Sequence, residues 1–253
     1  MQNYDKLKLG IPLNLCSDIN KDLFNDIIDG NLFVSKKIIQ EILGVITLGL
    51  DYAEGLFIVE ITGKINAENH NLGLINQQNI IDTLEKINKL GFVKFKPEDV
   101  ISQTKVFMCD ITQDIFIKNN DIGKILFDLK QKLQVNSNRY YITKHPNSGI
   151  SVRPIAKTRK EVFNIYPKYK ELHLKKHEKY RSIISYDYLE EIKRLIRVEL
   201  QLKSYKLMRH YFNLGNKSEI MLEDLLMSSE NPLMMKLAEL GISEDYMNGR
   251  NDI

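Results

Sequence analysis

Leu195-Ile-Arg-Val-Glu-Leu-Gln-Leu-Lys203 alternates apolar and polar residues without a break. Successive side chains of an extended chain point to opposite faces. Val198, Leu200 and Leu202 therefore share one face, and Arg197, Glu199 and Gln201 the other. The stretch reads as a strand with one apolar and one polar side. Three upstream segments repeat the pattern. In Leu56–Ile65, Phe57, Val59 and Ile61 oppose Glu60, Thr62 and Lys64. In Val106–Ile117, Phe107, Cys109 and Ile111 oppose Asp110, Thr112 and Asp114. In Val162–Tyr166, Phe163 and Ile165 oppose Asn164 and Tyr166, with Lys168 following on the polar side. Arg139–Thr143 and Val152–Ala156 read as shorter strands, separated by a turn at His145–Gly149.

Between these strands the spacing changes to that of helices. Asn76–Leu90 carries Ile80, Ile81, Leu84, Ile87 and Leu90, with Gly91 as its stop. Ile122–Leu133, Tyr186–Lys193, Tyr205–Phe212, Glu219–Met227 and Pro232–Leu240 also read as helical. Ser17–Asp29 reads as a short helix, and Ser35–Gly44 as a helix or a strand. Strands interspersed with helices predict an α+β fold. The expected form is a central, mostly antiparallel sheet with helices packed on one face. The expected division is an N-terminal segment (1–50), an α+β domain for catalysis and DNA binding (51–212), and a helical C-terminal region (213–253). The last packs on the domain through Met221, Leu222, Leu225 and Leu226.

The 253 residues (29.5 kDa) are enough for a sizeable core, and their 43% hydrophobic and 27% charged residues are ordinary for a globular protein. No apolar run reaches the ~18 residues of a membrane span. The polar start of the chain holds no apolar signal core. Cys16 and Cys109 suit neither a disulfide framework nor a metal motif, so a reduced, cytoplasmic protein is expected.

Net charge is only +3, but it is uneven. Arg139–His210 holds 18 Lys and Arg against 7 Asp and Glu, which leaves 18 against 26 elsewhere. Such a block is either a solvated basic face or a site for a polyanion, since Lys and Arg displace counterions from phosphates. Tyr140, Tyr141, Tyr166, Tyr169, Tyr180, Tyr186, Tyr188 and Tyr205 interleave with it, as do residues that stack on unpaired bases. Arg153, Lys157, Arg159, Lys160, Lys170, Lys175, Lys176 and Arg197 are the candidate DNA contacts. His173 and His177, beside Lys175 and Lys176, read as solvated residues facing DNA.

If the strands neighbour one another, their polar faces bring Glu60, Asp110, Asp114, Glu199, Tyr166 and Lys168 together. The plain alternative is a sheet with a solvated polar side. Carboxylates suit Mg²⁺ or Mn²⁺, which polarises a phosphodiester. A tyrosine hydroxyl can attack it, and a lysine beside it can stabilise the charge that develops.

Asn164-Ile-Tyr-Pro-Lys-Tyr-Lys-Glu-Leu172, followed by the 195–202 strand, resembles the rolling-circle replication initiators of small plasmids and filamentous-type phages. That family shows an apolar-Tyr-x-Lys-x-x-Glu segment and then an Arg-apolar-Glu-apolar-x-Leu strand. Cys109-Asp-Ile-Thr-Gln-Asp114 is similar to its earlier acidic motif. The match runs over roughly residues 56–210. The resemblance implies a nicking tyrosine at Tyr166, with Lys168 and Glu171 completing its motif. It places metal-binding acids at Asp110, Asp114 and Glu199, with Glu60 a further candidate from the polar face. It implies origin DNA, single-stranded or as a hairpin, as the partner, with a host helicase as a further candidate; the stripe at Met221, Leu222, Leu225 and Leu226 makes a second copy of the chain another. No membrane is expected. Pro167 stands where the family more often has a small acidic or amide residue, and Tyr169, at i+3, is the alternative nucleophile. Two other readings stay open: an initiator that grips origin DNA without cutting it, and a metal-dependent nuclease that uses water.

Overall fold

Alternating segments need partners for their backbone N–H and C=O groups, and in this chain the partners are antiparallel neighbours. The computed structural model describes residues 2–67, 73–117, 122–134, 138–145 and 149–242. In chain order the strands are β1 (Asn3–Pro12), β2 (Cys16–Ile19), β3 (Asp26–Ile28), β4 (Asn31–Phe33), β5 (Val45–Asp51), β6 (Leu56–Thr62), β7 (Ile75–Asn76), β8 (Val93–Phe95), β9 (Lys105–Phe116), β10 (Tyr140–Lys144), β11 (Ile150–Pro154), β12 (Glu161–Pro167) and β13 (Leu195–Leu202). The fold is α+β. Eleven strands belong to an antiparallel sheet, while β2 and β8 pair with each other. Among the described residues no helix is long and apolar enough to cross a membrane.

Contacts divide the chain into two compact units. The first takes the described residues of 1–68, 72–109 and 204–229, and the second those of 110–203 and 230–253. The divisions fall away from 50 and 212, and β9 contributes residues to both units. The segment expected as one C-terminal region is shared between them.

The first unit has strand order β9-β1-β6-β5-β4-β3, with β7 on β1. Its core begins in the register of β1 on β6: Leu7 faces Ile61, Leu9 faces Val59 and Ile11 faces Phe57. All six are fully buried. Phe24 and Phe92 extend this core by an edge-to-face contact, and Phe24 also meets Phe57 edge-on. The helix Ile80–Lys89 buries Ile80, Leu84 and Ile87, and Gly91 follows it at φ 77°, where an L side chain is strained.

Two readings within this unit are corrected. Ser17–Asp29 is no α-helix: it contains most of β2, a 3₁₀ turn at Lys21–Leu23, and β3. Leu23, Phe24, Ile27 and Ile28 imitate helical spacing, but Asp29-Gly30 forms a hairpin turn with both residues at positive φ. Ile27 and Ile28 lie on an edge strand, 74% and 56% exposed. The helix expected over 219–227 covers only Leu222–Leu226. The preceding residues run as extended chain, with Val106 N–H bonded to the Ile220 carbonyl and Met221 bridging Lys105.

The second unit has order β10-β11-β12-β13-β9. Ile150 faces Ile165, which faces Val198; Val152 faces Phe163, which faces Leu200. These two rows are buried and make the apolar face. A small cavity on that face is lined by Ile125 and Leu129 from the helix Ile122–Gln134 and by Leu237 from the helix Pro232–Glu239, which identifies two helices that cover it. The second helix is pinned by Lys236, whose Nζ lies 2.7 Å from Glu161 and 3.0 Å from Glu239. The same ammonium sits 4.7 Å from the centre of the Tyr140 ring.

Candidate active site

The opposite face of the second unit carries the polar half of the alternation. Ser151 faces Asn164, which faces Glu199, in a row across β11, β12 and β13. Tyr166 faces Arg197 in the next row of β12 and β13. β12 ends at Pro167, whose φ of −68° suits an extended strand end, and the short helix Lys168–Leu172 starts directly after it. The proline thus makes a strand-to-helix corner and leaves Tyr166 at the last turn of the strand.

Tyr166 Oη donates a hydrogen bond to Glu199 Oε1. Lys168 Nζ lies 5.7 Å from the centre of the Tyr166 ring and 3.0 Å from Glu171. Glu171 is also paired with His177 Nε2. Burial by itself raises the Glu171 pKa, but the hydrogen bond from His177 and the charge of Lys168 outweigh it and hold the carboxyl well below the usual carboxylate range. Lys168 is thereby fixed beside the phenol, only 3% exposed.

The other predicted residues are placed as follows. Asp114 is held by Arg197 through two bonds, Nε to Oδ1 at 2.6 Å and Nη2 to Oδ2 at 2.7 Å. Arg197 is 1% exposed, so it is the counterion of Asp114 and not a DNA contact. Asp110 is buried and accepts a hydrogen bond from Gln201 at 2.9 Å. The acids therefore do not stand on an open, solvated face as expected. Glu60 lies in the first unit, 3.8 Å from Lys6. Arg159 is engaged by Glu161 and Glu239 at 3.2 and 3.4 Å. Arg153, Lys157, Lys160, Lys170, Lys175 and Lys176 are exposed. Tyr169 meets His173 with the rings tilted at 40° and their centres 4.2 Å apart, and Lys193 Nζ lies 5.4 Å from the Tyr169 ring centre.

His177 is buried, whereas His173 is exposed. Their spacing of four does not place them on one helical face, because the helix ends at His173 and a 3₁₀ turn over Lys175–His177 follows. His145 N–H bonds to the Gly149 carbonyl at 2.8 Å, as a turn requires; residues 146–148 lie outside the described residues.

The acids do not form a ready cation cage. Each has an oxygen committed to a protein donor, and among the described residues no group of three or more His, Cys, Asp or Glu is placed to hold a metal ion. The arrangement sets a phenol against a carboxylate, with a lysine beside its ring.

Sequence reasoning missed Ser151, Asn164, His145 and His177 as members of the site. Asn164 was legible on the polar face of β12; Ser151, His145 and His177 carried no local signal. A cavity of about 360 Å³ opens beside Tyr166, lined by His145, Gly149, Ile150, Ser151, Asn164, Ile165, Tyr166, Pro167, Glu171 and Leu174. No protein-family model matches the chain, and comparisons with curated proteins and with solved structures give no match.

Proposed function

We propose that the second unit nicks and rejoins single-stranded origin DNA through a covalent 5′-phosphotyrosine on Tyr166, the step that starts rolling-circle replication. One observation carries this reading: the Tyr166 phenol donates a hydrogen bond to Glu199, so a nucleophile and its base are already paired. As Tyr166 Oη bonds to phosphorus, Glu199 accepts the phenolic proton. The P–O3′ bond breaks, and the departing oxygen takes up a proton from water to become a free 3′-hydroxyl. The 5′-phosphate stays on Tyr166, and the reverse steps rejoin the strand. Lys168, held by Glu171, puts positive charge where negative charge develops. The exposed lysines and arginine of the basic block are suited to the phosphates on either side. The wider reading includes a host helicase and a second copy of the chain as partners. It keeps Mg²⁺ or Mn²⁺ as a variable of the assay, and no step above is routed through the metal.

The test uses the full chain and a randomised pool of labelled single strands, with and without Mg²⁺ or Mn²⁺. A denaturant-stable protein–DNA adduct is expected, absent in Tyr166→Phe and retained in Tyr169→Phe. Glu199→Gln is expected to slow its formation by about 10²–10⁴-fold. An adduct that survives Tyr166→Phe overturns the assignment, and no adduct at all overturns the reaction.

The committed acids also favour a second reading, an origin-binding initiator that does not cut. In that case wild type leaves every strand intact, and Tyr166→Phe and Glu199→Gln bind DNA as it does.

A further inference from the structure

We infer that the cavity beside Tyr166 is a pocket for one unpaired nucleobase, that of a nucleotide next to the scissile phosphate. This rests on the nicking reading and adds to it the part of the substrate that the site holds. At about 360 Å³ the cavity lies at the lower end of small-ligand sites, which run from ~300 to ~1,000 Å³. It has room for one planar ring system.

The lining selects against a phosphate. Among the described residues no Lys or Arg lines the cavity, and Glu171, which does, is held in its anionic form. With no cation in the lining and Glu171 already paired with Lys168 and His177, nothing there draws in an anionic group, while a neutral base needs no counterion. Pro167 and Leu174 supply apolar wall for its faces.

The polar part of the lining matches a base edge. Ser151 Oγ donates to Asn164 Oδ1 at 2.5 Å and lies 2.7 Å from His145 Nε2. A hydroxyl has one proton to give, so His145 Nε2 is the donor in the second bond. That sets the tautomer of neutral His145 and leaves its Nδ1 as an acceptor. It also fixes the carboxamide of Asn164, which keeps its NH₂ as a donor. A nucleobase edge presents both donors and acceptors, and an asparagine amide is a common reader of one. Gly149 keeps the space open, since a Cβ there would stand 3.0 Å from Tyr166 Cβ. Because Tyr166 is both wall and nucleophile, a base seated here places its own nucleotide at the reacting oxygen. An extruded base of this kind is how a protein reads single-stranded DNA next to a bond it cuts.

The experiment compares two fluorescent strands of equal length, oligo-dT and the same backbone with every base removed. Their anisotropy is measured on the full chain, and adduct formation is scored in parallel in Mg²⁺ or Mn²⁺. Wild type is expected to prefer the strand with bases by about tenfold or more. Leu174→Trp, which fills the pocket, and Asn164→Ala are expected to cut that preference severalfold. His145→Ala, at an exposed position that cannot unfold the core, is expected to do the same. A preference that stays unchanged in the folded variants, or that wild type never shows, overturns the pocket whatever the adduct assay reads. A preference lost in the variants while wild type forms no adduct upholds the pocket and overturns the nicking reaction instead.

Discussion

Glu171 shows how one half-buried carboxylate organises the residues around the phenol. It is paired with Lys168 on one side and His177 on the other. Its folded-state pKa is lowered, so the stability it contributes is complete above the ordinary glutamate value and is lost as pH falls below it. We expect urea midpoints of wild type to drop on acidification from about pH 4.3 more steeply than those of Glu171→Gln. Parallel curves would show that the triad contributes nothing to folding. Gly149 acts on the same phenol by sterics. An added methyl would lie 3.0 Å from Tyr166 Cβ and 3.4 Å from the Ile165 carbonyl, so the tyrosine must shift by a few tenths of an ångström. Gly149→Ala is expected to lower the adduct rate about tenfold, with far-ultraviolet circular dichroism unchanged. The two cysteines are not reactive groups. Burial pushes the Cys16 thiol up to about 11, and Cys109 is fully buried. Iodoacetamide should therefore modify Cys16 on the order of 10²-fold more slowly than free cysteine at neutral pH, and Cys109 only on unfolding. Mass spectrometry of time points checks both.

At the scale of elements, the helix Pro232–Glu239 meets the sheet through charge as well as through apolar surface. Lys236 and the Glu161 side chain have essentially no exposure, so each is the other's compensation for lost water. Lys236→Met leaves the buried Glu161 carboxylate with the half-exposed Arg159 as its cation and should cost about 3 kcal/mol, read from chemical denaturation. Adding Glu161→Gln should recover most of that loss. A double variant as unstable as the single would mean that the helix is held by something other than this pair. Arg159 belongs to the same cluster, which accounts for its engagement with Glu161 and Glu239. The strand–helix corner at Pro167 is a second device at this scale. A residue that looked like a departure from the tyrosine motif closes β12 and starts the short helix that carries Lys168 and Glu171.

For the whole molecule, the basic block separates into cations that are spent on the fold and cations that face outward. Arg197 and Arg159 are of the first kind, and Lys170, Lys175 and Lys176 of the second. Replacing those three lysines by alanine should weaken single-strand binding and flatten the plot of log affinity against log salt by about 2, at ~0.7 per phosphate contact. Arg197→Ala should instead lower the unfolding midpoint, since it leaves Asp114 without its partner. Equal salt slopes in wild type and the triple variant would place the DNA elsewhere.

Alternation and spacing are local properties, and they were legible in the chain. The strand at 195–202, the segment 106–117, the helix after Ile122 and the α+β class all follow from periodicities of two and 3.6. β1 and β5 carry weaker patterns between polar neighbours and emerge only when their partners bury them. The partners of the charges are not local. That Tyr166 meets Glu199, that Arg197 turns to Asp114 and that Gln201 reaches Asp110 depend on the register of strands far apart in sequence. A slip of one residue would send every one of these side chains to the opposite face. The chain alone determined which residues are polar and which strands they ride on; packing decided which of them became counterions and which stands ready with a proton acceptor.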